Sequence, residues 1–193
     1  MDGGELFEID RLCYASYRAN QPFETLFPDA ATQAIVPRRA QVDVFQDDNG
    51  QWRVYRPATP TLIGATGDAD QPLPLDPELV TLVDDDNDGK PGVTVFLTLF
   101  GFIEGEIYIA RREVFQNDMT LYSDGSLRGN VIDDSEQVVA GASLDILNVP
   151  NNPDQFRDPG LNPIILIPID DEIDTCEELT AMRDALFPAE PQF

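Results

Sequence analysis

Histidine is absent from all 193 residues. Without imidazole, Ser-His-Asp and Cys-His nucleophile mechanisms are excluded, as are zinc and iron centres that need a ring nitrogen. The usual proton shuttle near neutral pH is lost with them. Lysine is nearly as scarce: eleven arginines stand beside the single Lys90. Those 12 basic residues face 36 acidic ones, for a net charge of −24. A field of that sign repels phosphate backbones and anionic bilayers, so nucleic acid is excluded as a partner. Long apolar runs are missing too. The most apolar stretch, GVTVFLTLFGFIEG, is too short for a spanning helix and alternates like strand, so no transmembrane segment is expected. The opening MDGGELFEID has neither the basic start nor the apolar stretch of a signal peptide. An exported protein with its signal already removed is the expectation that fits the acidic composition.

Cysteine occurs twice, at Cys13 and Cys176. In an oxidising compartment the pair closes almost the whole chain, which chain-entropy arithmetic values at about 5 kcal/mol. The alternative is two buried thiols, since cysteine also packs as a small apolar residue. An even count in an acidic, exported chain favours the disulfide.

What the chain has in quantity is alternation. AQVDVFQDDNGQWRVYRP reads as a hairpin, with Val42 and Val44 on one side of Asn49-Gly50 and Trp52 and Val54 on the other. Asn-Gly predicts a two-residue type I′ turn, which needs positive φ at both positions. GVTVFLTLFG places Val93, Val95, Leu97 and Leu99 on one face, and EGEIYIARREVF continues the pattern. MTLYSDGSLRGNVID holds a second turn signal at Asp124-Gly125, and EQVVAGASLDIL and NPIILIPID supply further strands. Short connections force antiparallel neighbours, so five strands from 92 to about 141 predict a meander. With the N-terminal strands, about eight to ten are expected, enough for a barrel or a two-sheet sandwich, the barrel being favoured because closure removes edges.

The fold class is therefore all-β, one domain over residues 1–193, with one helix packed on it at 175–187. Thr175 and Glu178 form a T-x-x-E capping box; Cys176, Leu179, Met182 and Leu186 follow at helical spacing, and Pro188 stops the helix. Three proline-rich stretches, 20–39, 57–77 and 147–163, are expected to be long loops that contact a partner or wrap the ends of the sheet.

VDDDNDGKPGVTV, residues 83–95, carries the chemistry. With Asp84 at position 1, Asp86 and Asp88 fall at positions 3 and 5, Gly89 at 6 and the Lys90 carbonyl at 7. Alternate side chains and one backbone oxygen are what a tight loop needs to wrap a hard cation, and the glycine supplies the bend. Starting at Asp85 would put Gly89 at position 5 and lose a ligand. Val95 stands where an EF-hand has its bidentate Glu, Pro91 cannot donate the pairing hydrogen bond, and strand rather than helix follows. The stretch more closely resembles the calcium loops of FG-GAP and related extracellular β-repeats, D-x-N/D-x-D-G-K-P-D before a strand. The resemblance implies calcium on Asp84, Asp86 and Asp88, with Gly92 where a further carboxylate is expected. Glu104 or Glu106 is expected to supply the missing ligand if the neighbouring strand returns to that end. The competing expectation is a wet acidic turn without an ion, since DDSE at 133–136 and DDEID at 170–174 show how readily acids cluster here. More broadly, DGKPGVTV, GEIYIARR and the late C…LFP resemble bacterial secreted or lipoprotein-type proteins, which implies an extracytoplasmic location.

Catalytic signatures are missing. Ser143 in GASLD is not a G-x-S-x-G elbow, no phosphate-cradling glycine loop is present, and the acids around Lys90 keep it charged. Phe96, Phe100, Phe102 and Tyr108 are expected in the core, or lining a ligand cavity. The leading expectation is a non-enzymatic extracytoplasmic domain stabilised by structural calcium and a disulfide, acting as a surface or assembly component with a protein partner or a second copy. The alternatives are a lipocalin-like barrel for a small apolar ligand and a carbohydrate-active domain with paired carboxylates.

Overall fold

The computed structural model describes residues 5–15 and 23–188, so the termini of the expected 1–193 domain and residues 20–22 of the first proline-rich stretch lie outside it. The chain is mostly strand. In order come β1 (Leu6–Asp10), β2 (Phe23–Leu26), α1 (Asp29–Ala34), β3 (Arg38–Gln46), β4 (Trp52–Ile63), β5 (Ala65–Thr66) and β6 (Thr81–Leu82). Then follow β7 (Val93–Leu99), β8 (Ile103–Leu121), β9 (Leu127–Asp133), β10 (Glu136–Ala142), β11 (Pro163–Leu166), α2 (Cys176–Ala181) and α3 (Arg183–Leu186). All pairings between these strands are antiparallel.

The expected five-strand meander has four strands, because β8 runs unbroken for 19 residues. Gln116, Asn117 and Asp118 look like a break in the alternation. Pairing overrides that local preference: Asn117 lies between Arg56 and Val131, and Asp118 forms an ion pair with Arg53. β8 is the spine of a nine-stranded sheet. Along one edge it pairs first with β7 (Ile103–Ile109) and then with β4 (Arg111–Thr120). Along the other it pairs with β10 and then β9. The sheet does not close: the strand path ends at β1 on one side and β2 on the other. The barrel closure expected from strand number is therefore not formed.

Both predicted hairpins are present, but not with two-residue turns. Asp47 N–H donates to the Gln51 carbonyl, and of the residues between them Gly50 alone has positive φ, at 76°. Tyr122 and Ser126 close the second turn likewise around Gly125 (φ 82°). A three-residue loop with glycine in the left-handed position uses the same sequence signal. Prolines 57 and 60 sit inside β4 instead of ending it. β3 pairs with β4 only as far as Tyr55, so beyond that point the outer edge of β4 is open and a missing N–H costs little. Pro57 also falls where the β4–β8 register shifts, between Arg56 and Thr59.

The core is split by the sheet. Ile63, Val93, Val95, Ile107, Ile109, Val139 and Leu147 cluster together, with Phe27 and Ile35 packed against them. Ala65, Ala110 and Val138 form a second cluster, covered by Leu73, Val80 and Leu82. The 57–77 stretch thus contributes strand at its start and an apolar cover at its end.

Cys13 and Cys176 are joined in a disulfide with a Cα–Cα distance of 5.0 Å, so the start of α2 is stapled to the segment that follows β1. Arg183 lies over the Tyr14 ring, 5.6 Å from its centroid, as a second tie. The capping box forms as expected: Glu178 N–H donates to the Thr175 hydroxyl, and Thr175 N–H donates to the Glu178 carboxylate. The predicted 175–187 helix nevertheless breaks at Met182 (φ −96°, ψ −3°), whose N–H turns back to the Leu179 carbonyl. Neither half buries a residue, so no packed face sustains one longer helix.

Candidate metal centre

The aspartate loop occupies the point on β8 where its edge passes from β7 to β4. β5 and β6 form a short ribbon beside that point, and Val83 N–H donates to the Gly64 carbonyl at the end of β4. Residues 84–92 then close on themselves: Gly92 N–H donates to the Val83 carbonyl at 2.8 Å, and Asp85 N–H to the Gly92 carbonyl at 3.2 Å. Within this ring Asn87 and Gly89 take positive φ (59° and 84°) and supply the bend.

The loop sorts its aspartates. Asp84, Asp86 and Asp88 each turn a carboxylate oxygen inward, the three lying within 4.8 Å of one another. Asp85 points the other way, and its carboxylate accepts the Gly64 N–H at 2.6 Å. The three carboxylates that the Asp84 register names are thus the three brought together. Asp84 accepts the N–H groups of Asp88 (3.1 Å) and Gly89 (2.9 Å), which shapes the turn. Thr94, at loop position 11, was not singled out from sequence. Its N–H donates to Asp86 at 2.8 Å and its hydroxyl to Asp88 at 2.6 Å, so it anchors both carboxylates. A threonine spaced one turn beyond the ligands at a strand entry was the available signal.

The electrostatics differ across the cluster. Burial pushes the Asp86 carboxyl pKa up against the Thr94 N–H, and the negative Asp88 and Asp84 add to the rise. Desolvation acts in the same sense on Asp88. There, however, the Thr94 hydroxyl, the Lys90 N–H and the Lys90 ammonium together hold the carboxyl below the usual aspartate value. The Lys90 ammonium lies 3.4 Å from Asp88 Oδ2 and 2.6 Å from Glu106 Oε2, and the Glu106 bond raises its pKa. Glu106 therefore reaches the loop, but through Lys90. Glu104 is opposite Thr98, towards the far end of the hairpin.

A hard divalent cation fits the donor set: every inward-facing group is oxygen, and the spacing is that of alternate side chains around one ion. Asp86 Oδ1 is buried without a hydrogen-bond partner, the condition that a bound cation relieves. The carboxylate missing at Gly92 has a steric cause. Gly92 has φ 84°, and a Cβ there would stand 2.4 Å from the Ile109 carbonyl oxygen. Gly64 is packed into the same corner, its own Cβ position 2.6 Å from that oxygen.

The four aromatics expected in a core or cavity are elsewhere. Phe96, Phe100 and Phe102 are exposed along the β7–β8 hairpin, with Phe100 and Phe102 stacked at 6.5 Å, and Leu26 is exposed beside them, paired with Phe96. Tyr108 donates its hydroxyl to Glu106. A cavity of about 620 Å³ lies instead on the face of the sheet that carries the first core cluster, floored by Ile63, Val93, Val95, Leu97, Ile107 and Ile109.

No protein family, curated protein or solved structure matches this chain. The resemblance of the loop to FG-GAP repeats accordingly stands on residues 84–92 alone.

Proposed function

We propose that the chain is an extracytoplasmic, non-enzymatic β-domain, stabilised by calcium and by its disulfide, that serves as a surface or assembly component. One observation carries this reading: Asp84, Asp86 and Asp88 converge at the β7–β4 junction, and one Asp86 oxygen is buried without a hydrogen-bond partner. Calcium would be held by the three carboxylates and the Lys90 carbonyl, at the weak affinity of extracellular modules, about 10⁻⁴–10⁻³ M. Its role is structural, fixing the entry of β7 against the end of β4 rather than activating a water. The Cys13–Cys176 bond supports an oxidising compartment. The exposed Leu26, Phe96, Phe100 and Phe102 support contact with a partner or a second copy. Calorimetry on chelator-treated protein tests the calcium site: heat of binding and a raised melting temperature are expected in millimolar calcium, and absence of both ends the reading. Sedimentation at micromolar concentration tests self-association.

A second reading, a carrier of a small apolar molecule, is favoured by the 620 Å³ cavity and its aliphatic floor, a size that suits such ligands. Mass spectrometry of the natively purified protein tests it. A co-purified lipid or hydrocarbon is expected, and protein free of any small molecule that also takes up none when offered it counts against it.

A further inference from the structure

The odd-numbered side chains of β8 from Ile107 to Asn117 line two adjoining cavities, of about 620 and 590 Å³. Phe115, Asp133, Asp154, Gln155 and Phe156 belong to the walls of both. Gln155 seals this partition by imitating a strand: it accepts the Asp133 N–H at 3.0 Å and donates to the Val131 carbonyl at 2.8 Å. The floor is apolar, but charges stand above it and their signs are unequal.

Among the described residues of these walls, each cation is already in an ion pair. Arg111 holds Asp133 at 3.0 Å and Glu113 at 3.4 Å, and Arg38 is bonded to the same Glu113. Arg56, buried to 5% side-chain exposure, faces two acids at once, Glu8 at 2.7 Å and Asp10 at 2.8 Å. The excess is felt: burial and the neighbouring Asp10 raise the Glu8 pKa in spite of Arg56. Asp154 lines both cavities, and no cation among the described residues answers it. Among the described residues, a carboxylate-headed ligand such as a fatty acid would meet only like charge or arginines already in ion pairs.

We propose that these cavities bind an organic cation: an apolar body with a single ammonium group, the ammonium against Asp154 and the body against Phe115 and the aliphatic floor. The proposal rests on the carrier reading above and adds the sign of the ligand's head group.

Isothermal titration with octylammonium, octanoate and 1-octanol separates the two claims. Work at about 0.15 M salt limits the reach of the protein's overall charge to about 8 Å. Octylammonium is expected to bind at least about tenfold more tightly than octanoate. Asp154→Asn is expected to weaken octylammonium roughly fivefold and leave 1-octanol unchanged, because Asp154 is exposed and its loss does not threaten the fold. Asp48→Asn, an equal charge change at the exposed tip of the β3–β4 hairpin, is expected to do nothing. If Asp48→Asn weakens octylammonium as much as Asp154→Asn, the preference is only the global field and the proposal is overturned. Equal affinity for octanoate overturns it too, while the carrier reading survives. If none of the three binds, both fall.

Discussion

The Cβ that Gly92 lacks would stand 2.4 Å from the carbonyl oxygen of Ile109, in a backbone conformation (φ 84°) that side chains rarely adopt. The residue that looks like a missing calcium ligand is thus packed directly against the backbone of β8, just before β7 begins. Gly92→Asp, which completes the sequence motif on paper, is expected to cost about 3 kcal/mol from strain and overpacking. It is expected to add nothing to calcium affinity. Denaturant unfolding and calcium titration of the variant check both halves.

Asp85 and Asp86 are neighbours with opposite duties, so their variants should separate. Asp86→Asn removes an inward carboxylate and is expected to abolish the calcium-dependent rise in melting temperature. Asp85→Ala leaves the inward cluster intact but strips the Gly64 N–H of its acceptor, at a cost of about 2 kcal/mol. Its calcium response should persist. Thermal melts of both variants with and without calcium decide it, and a shared phenotype contradicts the assignment.

Lys90 supplies a positive charge where a cation is to bind. Lys90→Met removes the ammonium 3.4 Å from Asp88 Oδ2 and frees Glu106 to face the loop. Calcium affinity is expected to rise several-fold, while the calcium-free protein loses stability as Asp88 and Glu106 are left without their counter-charge. Calorimetry measures the first effect and chelator-treated melts the second.

How much of this was legible follows from range. The carboxylate register of 84–88, the strand exit after it and the T-x-x-E cap at Thr175 are local patterns, and each is present as read. The continuity of β8 was hidden because Asn117 and Asp118 are poor strand formers locally. Their partners, Arg56 and Arg53, lie some sixty residues away in sequence. The cavity walls were hidden for a related reason. Along β8 the inward face turns from Ile107 and Ile109 to Arg111 and Glu113, and alternation alone cannot show which face of a charged strand lies inside. The aromatics misled in the opposite sense: Phe100 and Phe102 flank the turn glycine at 101, where they stack on each other and stay exposed.

The Cys13–Cys176 bond closes a separation of 163 residues, and α2 and α3 bury no residue of their own. Reduction should therefore act in two places. Locally, the 176–186 segment is expected to detach and become the first site of proteolytic cleavage. Globally, the unfolded chain regains its freedom, with a stability loss of up to about 5 kcal/mol. Limited proteolysis and unfolding of the Cys13→Ser, Cys176→Ser protein check the pair; a C-terminal segment as resistant as in the oxidised protein contradicts the staple.

Glu8 links the second cavity to pH. Its folded pKa lies above the ordinary 4.5, because burial and Asp10 outweigh Arg56. A carboxyl raised in this way favours the folded state while protonated, and that contribution is lost as pH rises through the folded value. Glu8→Gln keeps an acceptor for Arg56 but cannot ionise. The variant should therefore gain stability on the wild type as pH climbs from 4.5 upward and show no gain below it. Parallel denaturant melts across that range test the sign. A difference that shrinks with rising pH would mean that Arg56, and not burial, governs Glu8. The excess of negative charge in the second cavity would then be smaller than the geometry implies.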